Sequence, residues 1–426
     1  VGYKSMLYLT ATGRNDWESQ LAFSEASSFF YPSVGLSGII SSMVKLPDWL
    51  SYLKVRGSYT EVGTSFERFI TRPTYEFNIA SGKWSSTSIY PVRNLKPEKT
   101  RSWEVGVNSK WLNNHLSFDV TYYRSSTINQ TFTADLSISS GYSKAYIQSG
   151  NVRNEGMEIA LGYNNQWRGF SWDSNLTFSW NKNKIVKLTE GSVNPMTGEP
   201  ITKDNYDMGQ LGNLDARVKL YKGGSIGDVY ATHLIKRDGN NNVYVSKEGK
   251  IEIESVDEFK LGSILPKSNM GWSNNFSYKG VNLGVTLTAR FGGITLSGTQ
   301  SVLDQYGVSK VTAEYRDAGG IMINHGYVDT EKYFDTVKGY AAYYTYSATN
   351  VRLAELNLSY TLPQKWFQDK LRMTVGLVGK NLWMIYCKAP FDPEATASTQ
   401  SNYYQSYDYF MQPTTRNIGF SVKLNF

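Results

Sequence analysis

The sequence predicts an all-β chain that forms a transmembrane antiparallel β-barrel with about twelve strands present. Three observations support this class: apolar and polar residues alternate over a dozen segments, long and short connections alternate between them, and Tyr and Trp are abundant. Aromatic residues make up 14% of the 426 residues, with 31 Tyr and 11 Trp, while hydrophobic residues reach only 40%. This composition is typical of strands with one polar side and of aromatic girdles at the membrane interfaces.

The last segment, residues 414–426, shows the alternation clearly. One face carries Ile418, Phe420, Val422, Leu424 and Phe426, and the other carries Asn417, Gly419, Ser421, Lys423 and Asn425. A period of two residues indicates a strand. In a barrel the apolar face contacts lipid and the polar face lines the lumen, whereas in a soluble sandwich the apolar face would cover a core. We expect Phe426 to act as the terminal residue for barrel assembly.

The other strands follow the same two-residue period. They are predicted at residues 3–14, 29–40, 53–62, 101–111, 116–124, 152–163, 170–180, 270–278, 281–291, 352–362 and 371–382. Most are near the length that spans a bilayer when tilted. The connection at residues 41–52 is expected to hold one short helical turn, and no apolar window is long enough for a transmembrane helix.

The connections alternate strictly between short links and long loops when counted back from Phe426. Long loops are predicted near residues 63–97, 181–267, 292–348 and 384–413. Outer-membrane barrels have short periplasmic turns and longer extracellular loops. Soluble sandwiches and propellers have no reason to sort loop lengths in this way. The pattern therefore favours the membrane barrel over a secreted, soluble β-rich glycan-binding protein.

Several functional classes find no support in the sequence. The net charge is +7, but the basic residues form no run, so no nucleic-acid-binding arm is predicted. The single Cys387 excludes an internal disulfide framework. His115, His233 and His325 lie far apart, and no hydrolase, zinc-protease or phosphate-loop motif occurs. We therefore expect no enzyme activity, no catalytic residue, no metal site and no cofactor.

The candidate binding residues are polar side chains near the extracellular strand ends and aromatic residues in the long loops. The strand candidates are Tyr123, Ser179, Arg290, Lys380 and Asn417. The loop candidates are Tyr343, Tyr344, Tyr346, Tyr403, Tyr404, Tyr407 and Tyr409. Aromatic faces stack on sugars, and amide or guanidinium groups bind hydroxyls and carbonyls. Alternatively, the tyrosines pack the loops together. Tryptophans near strand ends suit the interface belts: Trp111, Trp167, Trp172, Trp180, Trp366 and Trp383.

Ordered matches along the whole chain resemble the SusC/RagA family of TonB-dependent outer-membrane transporters of Bacteroidetes. They are TATGRNDW, FYPSVGLSG, LKVRGSYTEVG, NLKPEKTRSWEVGV, SGNVRNEGMEIALGY, WSNNFSYKGVNLGV, NVRLAELNLSYTLP, VGKNL and RNIGFSVKLNF. The resemblance implies a twenty-two-stranded barrel of which this chain holds about the carboxy-terminal half. It also implies a plug domain, a TonB box and a signal peptide upstream, none of which lies in this sequence.

The resemblance further implies the function and its partners. A Gram-negative outer-membrane importer of this family takes up an oligosaccharide, or alternatively an oligopeptide, with a SusD-like surface lipoprotein as its lid and TonB acting on the plug. A passive porin-like channel is the other membrane interpretation.

Family members often carry an acidic loop before the strand at 270–278. Here Asp238, Asn240 and Asn242 keep the oxygen spacing of a calcium loop, but no glycine or glutamate completes it in the 238–250 loop. A polar turn is the preferred interpretation.

Overall fold

The computed structural model describes residues 1–24, 28–66, 70–72, 74–86, 88–92, 95–136, 141–201, 204–324, 326–395 and 405–426. The chain divides into two compact units. The first unit contains residues 1–164, 179–206 and 221–226, and the second contains residues 165–178, 207–220 and 227–426. Among the described residues, no helix has the length and apolar character needed to cross a membrane.

The main sheet contains twelve long strands in the described ranges, and every predicted segment is confirmed. They are β1 Leu7–Trp17, β2 Ser28–Ile39, β3 Leu50–Thr64, β4 Glu98–Trp111, β5 Leu116–Asp135, β6 Lys144–Trp167, β7 Phe170–Lys187, β8 Ser268–Tyr278, β9 Val281–Phe291, β10 Asn350–Thr361, β11 Arg372–Cys387 and β12 Asn417–Asn425. Strands β5, β6 and β7 extend well beyond their predicted ends. The predicted helical turn is the 3₁₀ turn Ile40–Ser42.

The first unit is an antiparallel sheet in chain order. A short strand, Gly2–Tyr3, pairs with β1, and the order then runs from β1 to β7. Continuous register aligns residues of one face in rows across neighbouring strands; one such row is Val55, Val107, Val120 and Ile159. A hairpin of Tyr75–Asn78 and Lys83–Ser86 lies in the β3–β4 loop, and Ile89–Tyr90 pairs in parallel with the start of β6.

Tight turns explain how the short links reverse the chain. Arg168–Gly169 joins β6 to β7, and Lys279–Gly280 joins β8 to β9. All four residues have positive φ, at 50°, 80°, 46° and 89°. Positive φ at both central residues defines the type I′ turn, whose twist matches that of the flanking strands. Glycine tolerates this conformation without steric cost, so its placement at the second position fixes the hairpin register.

The second unit combines a sheet of β8 to β12, in chain order, with two folded excursions. The first half of β7 extends this sheet. The excursion before β8 contains the strands Asn205–Gln210, Arg217–Tyr221, Asp228–Ile235 and Ile253–Ser263. The excursion between β9 and β10 contains the helices α1 Gly298–Gln305, α2 Lys310–Asp317 and α3 Thr330–Val337. Its short strands are Ile294–Ser297, Ile321–Ile323, Gly326–Val328 and Thr345–Ser347.

The helices of the second excursion start at side-chain caps. Ser297, Ser309 and Asp329 accept hydrogen bonds from the backbone N–H groups three residues later, at 2.9, 3.2 and 3.1 Å. Such caps satisfy donors that the first helical turn leaves without partners. The sequence pattern did not predict these helices because each is only eight residues long and lies in a polar connection.

The excursions of the second unit share one apolar core, here called the loop core. Its members include Leu214, Val229, Leu296, Phe334 and Tyr344, each at most 1% exposed. The short strand Tyr407–Asp408, from the connection before β12, pairs in parallel with Leu296 and Ser297. Residues from three long connections therefore bury each other, and this burial holds the connections together as one folded unit. A smaller core in the first unit contains Leu21, Phe66, Val92, Leu95, Leu136 and Ala145.

Candidate functional site

Opposite faces of the barrel strands have opposite chemistry. On one face, large apolar side chains are exposed in rows, with Val105 at 50%, Leu377 at 60% and Phe420 at 83%. Bands of exposed apolar residues this regular indicate a lipid-facing surface. The residues between them are polar and form hydrogen-bonded networks, which is typical of a lumen wall. The candidate site is therefore the polar face of the strands.

In the first unit the lumen wall contains an ion pair across three strands. Arg56 on β3 passes over Gly106 on β4 and donates two hydrogen bonds to Asp119 on β5, at 2.7 and 3.2 Å. Its Nη2 atom also donates to Thr121, and Asn108 donates to Asp119 at 3.0 Å. A Cβ atom at position 106 would lie 2.8 Å from Arg56 Nε. The guanidinium crosses this strand because the intervening residue has no side chain.

Tyr123, a predicted binding residue, belongs to a second network on the same wall. Its hydroxyl donates to Asn181 at 3.2 Å, and the amides of Asn181 and Asn183 both donate to Asn154. A Cβ atom at Gly156 would lie 2.6 Å from the Tyr123 hydroxyl, so this position needs the small residue. The result is a half-buried cluster of hydroxyl and amide groups on the lumen side of β5, β6 and β7. Ser179 precedes it on the same face of β7.

A polar cavity of about 420 Å³ lies next to this wall, among the loops of the first unit. Its lining includes Lys96, Asn129, Tyr146, Gln148 and Ser192. The Gln148 amide is fixed because it accepts from the Lys96 backbone N–H at 2.6 Å and donates to the Lys96 carbonyl. The Ser192 hydroxyl is buried and has no hydrogen-bond partner among the described residues. The cavity offers donors and acceptors to a polar group, and no sequence motif indicated it.

Glu190 is a charged residue beside this cavity, next to the lining residue Gly191. Hydrogen bonding to Lys222, together with a hydrogen bond from the Leu188 backbone N–H, lowers the pKa of the Glu190 carboxyl to about 2. The Lys222 ammonium lies 2.7 Å from this carboxylate. The Glu190 carboxylate therefore stays ionised throughout the physiological pH range, and the Lys222 ammonium neutralises its charge.

In the second unit one polar row crosses five strands. It contains Ser273, Thr286, Glu355, Lys380 and Asn417, each directly opposite the next in the register. The structure thus brings two predicted binding residues, Lys380 and Asn417, together opposite each other. Both are exposed, and Glu355 lies on the strand at the other side of Lys380. This row presents a cation, a carboxylate and an amide to the lumen.

The same wall has a polar recess of about 260 Å³ nearer to the short turns. It is lined by two carboxylates, Asp173 and Glu355, and by the amides of Asn275, Asn282 and Asn357. The Asn357 side-chain oxygen is buried without a hydrogen-bond partner in the described part of the chain. A recess with this lining favours cationic or hydroxyl-bearing groups over apolar ones.

Arg290, Tyr403 and Tyr404 are the remaining predicted binding residues. The Arg290 guanidinium donates to the carbonyl of Ile264 at 3.3 Å, and its Nε atom is buried without a partner among the described residues. It therefore contacts the base of a loop rather than the row that contains Lys380. Tyr403 and Tyr404 lie outside the described residues. Phe426 follows β12 with its side chain 98% exposed, and its role in assembly stays a prediction.

The other loop tyrosines mainly pack the loops together. Tyr344 and Tyr407 are 0% and 2% exposed in the loop core, and Tyr343 packs against them. Burial raises the pKa of Tyr344 and Tyr343 far above the usual value, and raises the pKa of Tyr346 to about 12. Tyr409 is 48% exposed. Tyr344 and Tyr407 therefore pack the loops together, as the alternative interpretation expects, and substrate contact by the loop tyrosines stays a prediction.

The remaining residues singled out in the sequence have structural partners. His115 contacts the Asn164 carbonyl at 2.8 Å and His233 contacts Asp215 at 2.9 Å, while His325 lies outside the described residues. Asp238 accepts hydrogen bonds from the backbone N–H groups of Asn240 and Asn242, at 2.9 and 2.8 Å. These bonds close the polar turn that the sequence predicted at this loop.

The tryptophans predicted for the interface lie mostly at strand ends, as expected for aromatic belts. Trp111 ends β4 and stacks on Trp49, and Trp167 contacts Phe170 across the type I′ turn. Trp366 and Trp383 are 65% and 61% exposed. The prediction that Trp180 lies near a strand end is wrong, because β7 continues for seven residues beyond it, to Lys187.

Comparison with known proteins was made for sequence and for fold. Residues 3–250 match the family model described as "TonB dependent receptor-like, beta-barrel". The chain is 24% identical over 448 residues to TonB-dependent receptor P3 of Formosa agariphila, covering 100% of this chain and 44% of that protein. It is 22% identical over 419 residues to TonB-dependent receptor SusC of Bacteroides thetaiotaomicron, covering 91% and 40%. The chain spans less than half the length of these curated relatives.

The structural comparison gives the same fold. A structure of the RagAB peptide importer in the open-open state superimposes with a TM-score of 0.77 at 19% identity, covering 100% of this chain and 46% of that chain. A second RagAB structure, described as a peptide transporter, gives a TM-score of 0.75. The agreement extends over the whole chain, so the fold of both units is that of these transporters.

Proposed function

Because the chain belongs to the TonB-dependent receptor β-barrel family, and is SusC/RagA-like within it, we propose that its protein imports a nutrient through the outer membrane of a Gram-negative bacterium. Energy would reach the channel through TonB acting on a plug. In this proposal the barrel strands supply the outer wall of the import path, and the protein is a transporter rather than an enzyme.

The polar row across β8 to β12 is the observation that carries the proposed substrate class. Glu355, Lys380 and Asn417 offer a carboxylate, a cation and an amide side by side. An oligosaccharide presents many hydroxyl groups that such a row can bind in parallel, and an oligopeptide, the alternative, presents carbonyl and N–H groups. The Tyr123 cluster and the cavity near Gln148 add hydroxyl and amide groups in the first unit.

The folded loops support a proposed partner. A loop core that joins three connections gives the extracellular side a defined surface instead of separate loops. We propose that a SusD-like lipoprotein covers this side as a lid. SusC and the RagAB transporters are among the proteins that this chain resembles.

Uptake of a labelled oligosaccharide by cells carrying the full transporter tests the proposal. We expect uptake to stop when TonB is deleted. Uptake that persists without TonB would support the passive porin-like channel instead. A parallel assay with a labelled oligopeptide of similar size separates the two substrate classes.

Variants of the polar row test the site within the same assay. Lys380→Met and Asn417→Ala should each lower uptake at limiting substrate severalfold, because a hydrogen bond to a charged group contributes about 1.5–3 kcal/mol and one to an amide about 0.5–1.5 kcal/mol. Lys365→Met is the matched control, since Lys365 is an exposed lysine in the short link before β11. Equal uptake by all three variants would exclude the row from the import path.

A further inference from the structure

A cluster of basic side chains on the lipid-facing side of the first unit has no role in the proposed import path. It lies beyond the apolar rows, toward the long loops, on strands β4 to β7. Its members are Lys99, Arg101, Arg124, Arg153, Lys182 and Lys184, here called the basic rim. Two acidic residues, Glu61 and Glu155, lie on the same face, so cations exceed anions by four.

The register shows a sharp boundary between the apolar surface and the rim. The row Val55, Val107, Val120 and Ile159 is wholly apolar. The row Gly57, Val105, Tyr122 and Met157 follows it. The next row contains Tyr59, Trp103, Arg124 and Glu155, and the one after it contains Glu61, Arg101, Ser126 and Arg153. Rows are about 7 Å apart, so the surface changes from apolar to charged within one aromatic row.

The positions of neighbouring side chains show that the rim residues lie on the outward face of the strands. Trp103 and Tyr122 contact each other with ring centroids 5.5 Å apart, and Arg101 and Arg124 each lie two residues beyond one of them. On β7, Asn181 and Asn183 hydrogen-bond to Asn154 on the lumen side. Lys182 and Lys184 alternate with these asparagines and therefore face outward, where both are exposed. Arg153 alternates with Asn154 in the same way.

Most of the rim has no ionic partner within the protein. Glu61 pairs with both Lys99 and Arg101, at 2.7 and 3.0 Å. Within the described ranges, Arg124, Arg153, Lys182 and Lys184 form no ion pair, and the Arg153 Nε atom is buried without a hydrogen-bond partner. Glu155 lies opposite Arg124 on the same face, so these four cations and this one carboxylate leave a local net charge of +3, and an external anion would reduce the repulsion between the cations.

The rim is a local feature of the first unit. In the second unit, outward positions at the loop ends of β9, β10 and β11 are apolar and include Phe291, Val351 and Tyr386. Strands of this fold can therefore extend beyond the membrane without basic residues on their outward face. We propose that the basic rim binds the phosphate groups of an anionic lipid headgroup in the outer leaflet. The aromatic row beneath it would lie at the level of the acyl boundary, and guanidinium groups are suited to bidentate phosphate contacts.

Native mass spectrometry of the full transporter in a non-ionic detergent tests this proposal. The probes are lipid A and chemically dephosphorylated lipid A. We expect wild-type protein to bind lipid A at least about tenfold more tightly than the dephosphorylated form, since each basic residue near an anionic lipid surface contributes about fivefold. The variant R124Q/R153Q/K182Q/K184Q should lose at least about tenfold in lipid A affinity. It leaves the Glu61 pairs intact.

Controls separate a headgroup site from general charge and from free phosphate. K247Q/K250Q/K365Q/K370Q removes four exposed lysines outside the barrel strands and should bind as wild type. R124K/R153K keeps the charge but loses the bidentate guanidinium contacts, so its lipid A affinity should fall less than that of the quadruple rim variant. Unchanged lipid A binding by the quadruple rim variant, equal loss in the control, or full displacement by excess inorganic phosphate would each overturn the proposal. If the quadruple variant fails to assemble, K182Q/K184Q serves instead, and unchanged binding there overturns the proposal as well.

Discussion

The Arg56 guanidinium reaches across strand β4, over Gly106, and holds the Asp119 carboxylate with two hydrogen bonds of 2.7 and 3.2 Å. The pair joins β3 to β5 across Gly106, and the Asn108 side chain of the intervening strand also donates to Asp119. Both side chains are about one-third exposed to the lumen, at 32% and 35%. Solvent screening therefore moderates its strength, but the bidentate geometry and the contacts with Asn108 and Thr121 favour a measurable contribution.

Asp119→Asn should destabilise the folded barrel by about 1–2 kcal/mol, because the Arg56 charge loses its partner and the amide cannot accept both hydrogen bonds. The measurement is the denaturant midpoint of unfolding, followed by heat-modifiable gel migration. Ser58→Ala is the control, since it removes one exposed hydrogen bond to Glu104, and its midpoint should hardly change. Equal midpoints for Asp119→Asn and wild type would show that the pair is energetically neutral.

Tyr407→Phe should loosen the loop core without unfolding the barrel. The Tyr407 hydroxyl bonds to Asn213, accepting from its backbone N–H at 3.1 Å and donating to its side chain at 2.5 Å. Its removal deletes both hydrogen bonds to Asn213, and because Asn213 is exposed and water can replace them, the expected loss is about 0.5–1.5 kcal/mol. Limited proteolysis should then cleave the 207–220 region faster. Tyr409→Phe, at a ring that is 48% exposed, should leave the cleavage rate unchanged.

Acidification should release the segment that follows β11. Burial of the Asp392 carboxyl opposes its ionisation, but hydrogen bonds from Arg352 and from the Glu394 backbone N–H outweigh this and hold its pKa below the usual value. Because the folded-state pKa is depressed, the stabilisation is complete above the unfolded pKa of about 3.9 and is lost as the pH falls through the folded-state pKa. The rate of amide hydrogen exchange of residues 388–395, corrected for the pH dependence of the intrinsic rate, should therefore rise as the pH falls below about 3.9.

The Asp392→Asn variant isolates this effect. It should raise exchange in the same segment already at neutral pH, with a loss of about 2 kcal/mol, and should weaken the acid dependence. Asp335→Asn is the control, because its ion pair with Lys338 is exposed. An acid response that survives in Asp392→Asn would assign the pH dependence to another group.

The strands could be predicted from the sequence because alternation is a local signal. Each of the twelve segments carries its own two-residue period, and turns such as Lys279–Gly280 show in the residue types themselves. The contacts of the loop core are not local. Tyr407 and Asn213 are 194 residues apart, and composition alone cannot distinguish a tyrosine that packs from one that binds.

Part of the candidate site could likewise be predicted from local sequence, and part depends on contacts between distant residues. Lys380 and Asn417 could be identified because each lies on the polar face of a strand whose other face is regularly apolar, and the register then places them opposite each other. The cavity near Gln148 could not, because its shape depends on a side chain that bonds to the backbone of Lys96, 52 residues earlier. Such cavities follow from loop packing, for which the sequence carries no periodic signal.

The two faces of β12 should respond in opposite ways to the same charge. Phe420 is 83% exposed on the apolar face, opposite Leu377, and Ser421 is its neighbour on the polar face. Phe420→Lys should cost about 2–4 kcal/mol if it lies near the bilayer midplane, and it should lower the amount of heat-modifiable protein in outer-membrane fractions. Ser421→Lys places the same charge in the watery lumen and should assemble at wild-type levels. Equal assembly of both variants would contradict the assignment of the apolar face to lipid, since only a face in contact with hydrocarbon penalises the charge so strongly.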